Sequence, residues 1–311
     1  MAVFVVVLAV IGLVSAGAIQ AAGRLEGAAR RERKEILQLW EAGSFDEVFS
    51  RSQNALASRL MDYFLLTMRG FSAYQLGVSQ INSVNAGHYF DACTWSLRKA
   101  ALLKDSANDG RLYYVLGKAY YYKGESYADL SVKYLGKARN LSYNAADIPE
   151  YLGMAYAAIG EYRNSVAAFA EALALQGGEG FPRENSPGEK PSGRAPSGPL
   201  LLAIARSYLA LGDFELARAY LQRCIDTSPD SRIVLSARLL LSEVLLKSGD
   251  NNGARKPLMD ILEEAGEDAE AHYQLGELYA LQGETIRARA EWRLALRADP
   301  AHLKARTRLS M

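Results

Sequence analysis

The side chains that most often carry catalysis or bind metals are few in this chain and lie far apart. There are three histidines, His88, His272 and His302, and two cysteines, Cys93 and Cys224. No two histidines have the i, i+4 spacing that places metal ligands on one helix face. Two distant cysteines form neither a disulfide framework nor a cysteine-rich zinc motif. The sequence therefore predicts no metal site and no cofactor.

Two glycine-containing segments also fail as nucleotide-binding motifs. Gly110 and Gly117-Lys118 have the wrong spacing for a phosphate-binding loop, and neither Ser nor Thr follows the lysine. Gly178 and Gly180 follow a predicted helix rather than a strand, so they are not a dinucleotide fingerprint. Because no converging set of titratable groups remains, we predict that the protein is not an enzyme.

Composition narrows the function classes further. The chain has 311 residues, of which 50% are hydrophobic and 23% are charged, so it can bury a core and is not disordered throughout. Its 36 Lys and Arg balance 35 Asp and Glu, which gives a net charge of +1. We expect no nucleic-acid partner, because such proteins are usually strongly basic.

The chain begins with a long uncharged stretch. Residues 2–22 carry no charge, and about 21 helical residues would cover about 31 Å, the thickness of a bilayer core. We expect residues 1–23 to be a single-pass membrane anchor or an uncleaved signal. Cleavage is the alternative, because Ala16-Gly17-Ala18 offers a small-x-small site after the apolar run.

The charges that flank this stretch bear on its orientation. The basic residues lie on its C-terminal side: Arg24, Arg30, Arg31, Arg33 and Lys34. The positive-inside rule then favours the cytoplasmic side for the rest of the chain. The periplasmic side is the alternative, since chains of this layout are often exported.

A pattern of small and large residues repeats along the chain. In residues 269–300 its members are Leu275-Gly276, Tyr279, Gly283, Ala288, Trp292, Ala295 and Pro300. Four earlier segments match in similar order, around Leu241, Ile204-Ala205, Leu152-Gly153 and Leu116-Gly117. Two weaker matches precede them, one at Gly70, Ala73 and Gly77 with an insertion before Cys93, and one at Ile36, Leu39 and Gly43.

This pattern resembles the tetratricopeptide repeat (TPR), a 34-residue helix-turn-helix unit. The resemblance implies an all-α, right-handed superhelical solenoid of about seven helix pairs. We expect four repeats in residues 29–176 and three repeats with a C-terminal cap in residues 199–311. His272 occupies a place where the family often has Trp, which favours a packed histidine, and both cysteines replace small core residues.

Two segments depart from the repeat. Pro257 lies inside a predicted second helix and should kink it or leave a carbonyl unbonded. Residues 177–198 are rich in Gly and Pro, so we expect a flexible loop there, or a hinge between two sub-solenoids.

The first helix of each pair lines the concave side in this family, which is where partners usually bind. Counting from the repeat glycine, the inward positions are aromatic or cationic in the N-terminal half: Phe64, Phe71, Tyr74, Arg111, Tyr114, Lys118, Tyr121 and Tyr122. Met154 and Arg206 occupy equivalent positions later in the chain. Aromatic rings offer large contact area and cations pair with carboxylates, so we predict a protein or peptide ligand. The alternative is that these tyrosines only fill the inside of a tight superhelix.

The resemblance and the uncharged N-terminal stretch together predict a membrane-anchored scaffold that binds partner proteins in a membrane or envelope complex. An exported soluble binding module with a cleaved leader is the alternative. The acidic chaperone tail that some family members bind is not an expected ligand, because the required asparagines are missing from the predicted first helices. Self-association stays open.

Overall fold

The computed structural model describes residues 27–81, 85–175 and 196–310. Over these residues the chain forms fifteen α-helices and no strand, which confirms the all-α prediction. None of the described helices is both long and apolar enough to cross a membrane. The predicted anchor lies outside the described residues, so it stays a prediction.

The helices fall into two compact units, and the boundary lies between Tyr143 and Asn144. In the first unit α1 covers residues 27–41 of the described chain. The others are α2 (Phe45–Leu56), α3 (Tyr63–Ser79), α4 (Ala86–Ala100), α5 (Gly110–Tyr122) and α6 (Ala128–Asn140). Short 3-10 turns at Lys104–Ser106 and Glu125–Tyr127 precede α5 and α6.

The second unit holds nine helices among its described residues. They are α7 (Ile148–Ala158), α8 (Tyr162–Leu175), α9 (Gly198–Leu211), α10 (Phe214–Thr227), α11 (Ser231–Ser248), α12 (Asn251–Ala265), α13 (Ala269–Leu281), α14 (Thr285–Ala298) and α15 (Leu303–Ser310). Four successive pairs and the terminal helix α15 correspond to the predicted repeats and cap. Most of the predicted 177–198 loop lies outside the described residues, and its last residue, Gly198, begins α9.

Aspartates define where six of the described helices begin. A side-chain oxygen at the N-cap accepts a backbone N–H of the first turn, which satisfies a donor that the helix leaves unpaired. Such caps occur at Asp62, Asp109, Ser197, Asp213, Asp230, Asp250 and Asp268. The six acidic caps also complement the positive end of each helix dipole.

In four of the pairs the two helices meet closely at a glycine of the first helix, Gly70, Gly117, Gly153 or Gly276. A Cβ added to Gly70 would overlap the Leu97 side chain, and one on Gly276 would overlap the Trp292 indole. One on Gly153 would lie 2.5 Å from two ring carbons of Phe169. Only a hydrogen fits in these places, as the repeat pattern predicts.

The glycine that ends a first helix behaves as predicted in the later repeats. Gly212 and Gly249 adopt left-handed backbone conformations directly after α9 and α11, and Gly283 follows α13 with φ 77°. Gly77, at the same pattern position, is different because α3 continues past it to Ser79. Its missing side chain makes room for the Phe90 ring, so this glycine serves packing instead of termination.

The interior of each unit lies between the paired helices. In the first unit Leu97, Leu116 and Leu135 are fully buried. In the second unit one hydrophobic cluster contains Phe169, Leu221 and other residues of α8 to α12. Cys93 and Cys224 are free thiols with no exposed surface, which confirms that both serve as small core residues.

Candidate protein-binding surface

Eight of the ten predicted binding residues lie on α3 and α5 of the first unit, and these two first helices contact each other. Asp62 accepts the Leu65 N–H at 3.1 Å, and Asp109 accepts the Leu112 N–H at 2.9 Å. These caps fix where each helix starts and therefore which side chains share a face. We call the eight residues the aromatic surface: Phe64, Phe71, Tyr74, Arg111, Tyr114, Lys118, Tyr121 and Tyr122.

Arg111 lies between two rings. Its guanidinium carbon is 4.8 Å from the centroid of Phe71 and 5.6 Å from that of Trp40 on α1. Arg111 is exposed although Phe71 is buried. Because a guanidinium over ring faces keeps its edge donors available, Arg111 can still pair with a carboxylate.

Lys118 lies about two helix turns beyond Arg111 on α5, against two tyrosines. Its Nζ donates a hydrogen bond to the Tyr114 hydroxyl at 3.1 Å and lies 5.9 Å from the Tyr74 ring centroid. Only 8% of Lys118 is exposed. The lysine therefore orients the two rings more than it presents a charge to solvent.

A ring cluster closes this end of α5. Tyr122 stacks on Phe90 of α4 with centroids 5.2 Å apart, and Tyr74 lies 6.3 Å from Tyr122. Tyr121 meets Tyr122 edge to face at 5.3 Å. Contacts of this kind hold the tyrosines in fixed positions, which lowers the entropy lost when a partner binds.

The predicted residues differ in how much surface they offer. Phe71, Tyr74 and Lys118 are buried. Their burial agrees with the alternative that these side chains fill space between the helices. Arg111 is exposed, whereas Phe64, Tyr114, Tyr121 and Tyr122 are half-buried. These last five are the part of the aromatic surface that a partner could touch.

Met154 and Arg206 belong to the second unit. Met154, on α7, is half-buried and packs against the hydrophobic cluster of that unit. Arg206 is exposed on α9. The structure therefore places eight of the predicted residues on the first unit and these two on the second.

Sequence reasoning missed three contributors to the aromatic surface. Arg33 of α1 lies over Phe64 with its guanidinium carbon 5.3 Å from the ring centroid. Trp40 and Phe90 supply rings from α1 and α4. The inward positions were predicted only for first helices from the second repeat onward. Trp40 lies beside the turn of the degenerate first repeat, and extending the prediction to that repeat would have pointed to it.

The histidines are in ordinary structural surroundings. His272 is buried, and its Nδ1 lies 2.7 Å from a Glu291 carboxylate oxygen across the α13/α14 pair, which confirms the packed histidine. The His302 Nε2 lies 3.1 Å from a Glu270 oxygen. Among the residues that the structure describes, no group of three or more His, Cys, Asp or Glu could hold a metal ion.

Comparison with protein families agrees with this architecture. Residues 194–311 match the tetratricopeptide repeat-like domain family, which covers α9 to α15. No curated relative matches the chain. The family match supports TPR-like repeats over residues 194–311.

Solved structures share the TPR fold at low sequence identity. PilW, described as a widely conserved type IV pilus biogenesis factor, is 18% identical with a TM-score of 0.56, over 77% of this chain and 98% of its own. The C-terminal part of a TPR repeat-containing protein from Cytophaga hutchinsonii is 13% identical with a TM-score of 0.55, over 90% and 100%. YrrB, a TPR protein with an unusual peptide-binding site, is 19% identical with a TM-score of 0.48, over 69% and 98%.

The two likenesses with TM-scores above 0.5, to PilW and to the Cytophaga hutchinsonii protein, establish the fold of TPR helix pairs. Together with the family match over residues 194–311, this fold is consistent with binding of proteins or peptides.

Proposed function

We propose that this protein is a membrane-anchored TPR scaffold that binds partner proteins through the aromatic surface of its first unit. The proposal rests on the position of Arg111. Its exposed guanidinium lies over the rings of Phe71 and Trp40, beside half-buried tyrosines of α5. Rigid aromatic rings next to a placed arginine form the kind of patch that dominates binding energy in protein interfaces.

The expected ligand is a segment of a partner that carries a carboxylate and an apolar side chain. Arg111 would pair with the carboxylate in a bidentate way, since its guanidinium is already desolvated on one face. Tyr114 and Tyr121 would contact the apolar side chain with their rings. In this proposal the buried Lys118, Tyr74 and Phe71 support the exposed groups from beneath.

A matched pair of variants tests the surface. The Arg111→Gln and Tyr121→Ser double variant should lose most partner recovery when the full chain is extracted from its native membranes, crosslinked and quantified by mass spectrometry. The control, Arg163→Gln with Tyr162→Ser on α8, removes the same residue types from a second helix of the other unit. If both variants recovered the same amount of partner, and both had the wild-type melting temperature, the result would contradict the proposal.

Membrane anchoring is the second part of the proposal. It is supported by the uncharged residues 2–22, which are long enough to span, and by the basic flank that follows them. The flank favours a cytoplasmic position for the repeats. A scaffold fixed to the bilayer would hold its partners there, in support of a membrane or envelope complex.

The exported soluble module is the competing function, favoured by the small residues Ala16-Gly17-Ala18. Intact mass and alkaline carbonate extraction separate the two. An anchored protein keeps residues 1–23 and stays with the membrane pellet. A soluble protein shortened by about twenty residues would establish the alternative.

A further inference from the structure

A concave site distinct from the aromatic surface lies on the first unit, at the second helices α4 and α6. It is a pocket of about 440 Å³ between the C-terminal part of α4, α6, and Tyr113 of α5. Its lining is made of aromatic, basic and apolar side chains: Trp95, Arg98, Lys99, Ala101, Leu102, Tyr113, Lys133, Tyr134 and Lys137. None of them belongs to the aromatic surface, and adjacent residues Tyr113 and Tyr114 of α5 serve the two sites separately.

Four cations converge on this pocket. Lys99, Lys133 and Lys137 lie against aromatic faces, with Nζ 3.8 Å from the Trp95 centroid, 5.6 Å from that of Tyr134 and 3.8 Å from that of Tyr113, respectively. Burial raises the pKa of Tyr120, and the nearby positive charge of Arg98 acts against that rise. The rings hold the lysine stems in place while the ammonium groups keep hydrogen-bond donors for a ligand.

The four cations lack acidic partners. Among the described residues the pocket lining has no Asp or Glu, and no carboxylate forms an ion pair with Arg98, Lys99, Lys133 or Lys137. In contrast, Lys123 of the same unit pairs with Asp91 at 2.6 Å, and Arg51 pairs with Glu35 at 2.8 Å. A concave surface with four uncompensated cations creates a local positive potential in a chain whose net charge is only +1.

The pocket is also apolar. Trp95 is 50% exposed and Leu102 is 79% exposed, although residues of these types are usually covered in a folded domain. Behind them Tyr113, Tyr134 and Tyr120 form a column of nearly parallel rings, with centroids 6.3 Å and 5.6 Å apart. A ligand that places one apolar side chain here would cover Trp95 and Leu102 and gain hydrophobic contact.

We propose that this pocket binds an acidic segment of a partner protein, with one aromatic or leucine side chain seated against Trp95 and flanking carboxylates paired with the four cations. Charge complementarity and the exposed apolar lining carry this assignment. A nucleotide fits less well, because the lining offers no amide or carboxylate side chain to read the edge of a base. A membrane surface fits less well, because the cations line a concavity instead of projecting from a flat face.

The probe is a fluorescein-labelled peptide with one phenylalanine between two pairs of glutamates, titrated with the full chain and followed by anisotropy. Two matched peptides replace either the phenylalanine by alanine or all glutamates by glutamine. We expect each change to weaken binding at least about tenfold. We also expect affinity for the parent peptide to fall as salt rises, since exposed charges are screened.

Variants of the chain locate the binding. Lys133→Gln with Lys137→Gln removes two pocket cations and should weaken binding of the parent peptide at least about tenfold. Lys34→Gln with Lys256→Gln makes the same change in net charge at exposed sites outside the pocket and should leave affinity within twofold. Unlabelled peptide should also change the fluorescence of Trp95, and the Trp95→Phe variant should bind while losing that signal.

The following results would overturn the proposal. Equal binding of all three peptides, or equal loss in both double variants, would mean that the interaction is general charge attraction. Binding to phosphatidylserine vesicles without binding to the parent peptide would assign the patch to a membrane. Because the Arg111→Gln and Tyr121→Ser variant keeps this pocket, it should bind the parent peptide normally, so failure of the aromatic surface and failure of the pocket remain distinguishable.

Discussion

Ser165 donates a hydrogen bond from its Oγ to the carbonyl oxygen of Gly153, 2.8 Å away across the α7/α8 pair. The same bond recurs in the preceding repeat, where the Ser131 Oγ lies 3.0 Å from the Gly117 carbonyl oxygen. Both serines stand where the later repeats have a small alanine. Because the glycine has no side chain, the facing helix comes close enough for the hydroxyl to reach a helical carbonyl.

This close approach predicts opposite effects for two Gly→Ala substitutions. Gly153→Ala would push a methyl group into the Phe169 ring, 2.5 Å away, and should lower the free energy of unfolding by about 1–3 kcal/mol. Gly136→Ala, inside α6 with no atom within 4 Å of the added Cβ, should raise it by about 0.5–1 kcal/mol through helix propensity.

Urea denaturation of the two variants beside the wild type measures both changes. If Gly153→Ala were as stable as Gly136→Ala, α7 and α8 would lie further apart at Gly153 than they do in the structure.

The helix pairs were predictable because they depend on the spacing of small and large residues along the chain, which can be read directly from the sequence. The glycines at 153 and 276, the large residues Phe169 and Trp292 and the turn glycine at 283 recur at positions that helical geometry brings together. The serine hydrogen bonds were not predictable, since a small residue in that place indicates only close packing. A hydroxyl there depends on where its oxygen points, which no spacing rule contains.

The binding surface was predicted less completely, for a physical reason. Counting along one helix finds Arg111, yet its contact with Trp40 depends on how α1 lies beside α5. The basic pocket was missed because it joins α4, α5 and α6, and its lysines read in sequence as ordinary exposed charges. Met154 was predicted on the binding face, and the structure has it half-buried with part of its side chain against a core cluster, since methionine adapts to either place.

Pro257 should weaken its own helix. The structure continues α12 from Asn251 to Ala265 with Pro257 inside it, so the carbonyl of Gly253 has no N–H at position 257 to accept. We expect Pro257→Ala to stabilise the protein by about 1–3 kcal/mol, since a donor is restored and the ring is removed. The neighbouring exposed substitution Lys256→Ala should change stability by less than about 0.5 kcal/mol.

Thermal melts of these two variants are a direct comparison. A Pro257→Ala variant that melts at or below the wild-type temperature would show that the proline is accommodated without cost.

The buried thiol of Cys93 should make stability fall at high pH. Burial raises the pKa of Cys93 well above its ordinary value of 9.0, so the folded thiol stays protonated while the unfolded one ionises. The unfolded state then binds fewer protons than the folded state, and the stabilisation that is complete below pH 9 is lost as pH rises. Between pH 9 and 10 the wild type should lose about 1 kcal/mol more than Cys93→Ala.

Urea denaturation at several pH values measures this difference, and a thiol reagent provides a second check. Native protein at pH 8 should react at neither Cys93 nor Cys224, because both are fully buried, whereas denatured protein should react at both. Rapid labelling of Cys93 in the native protein would contradict the burial on which the pH effect depends.

Tyr63 connects the starts of two first helices through Asp109, so loss of Asp109 should cost more than loss of an ordinary N-cap. The Tyr63 hydroxyl donates to the Asp109 carboxylate at 2.6 Å, while the same carboxylate caps α5 through the Leu112 N–H. Asp109→Ala therefore removes both a cap and an interhelix bond. Asp213→Ala removes a cap of the same kind at Leu216, at 3.1 Å, without an equivalent tyrosine among its described hydrogen bonds.

We expect Asp213→Ala to cost about 1 kcal/mol and Asp109→Ala to cost about 2 kcal/mol, the difference being the hydrogen bond to Tyr63. Tyr63→Phe isolates that bond, and a double-mutant cycle with Asp109→Ala should give a coupling energy of about 1 kcal/mol. Additive effects of Tyr63→Phe and Asp109→Ala would show that the two residues are adjacent without stabilising each other. Coupling would show instead that one aspartate both starts α5 and ties it to α3, the two helices that carry the aromatic surface.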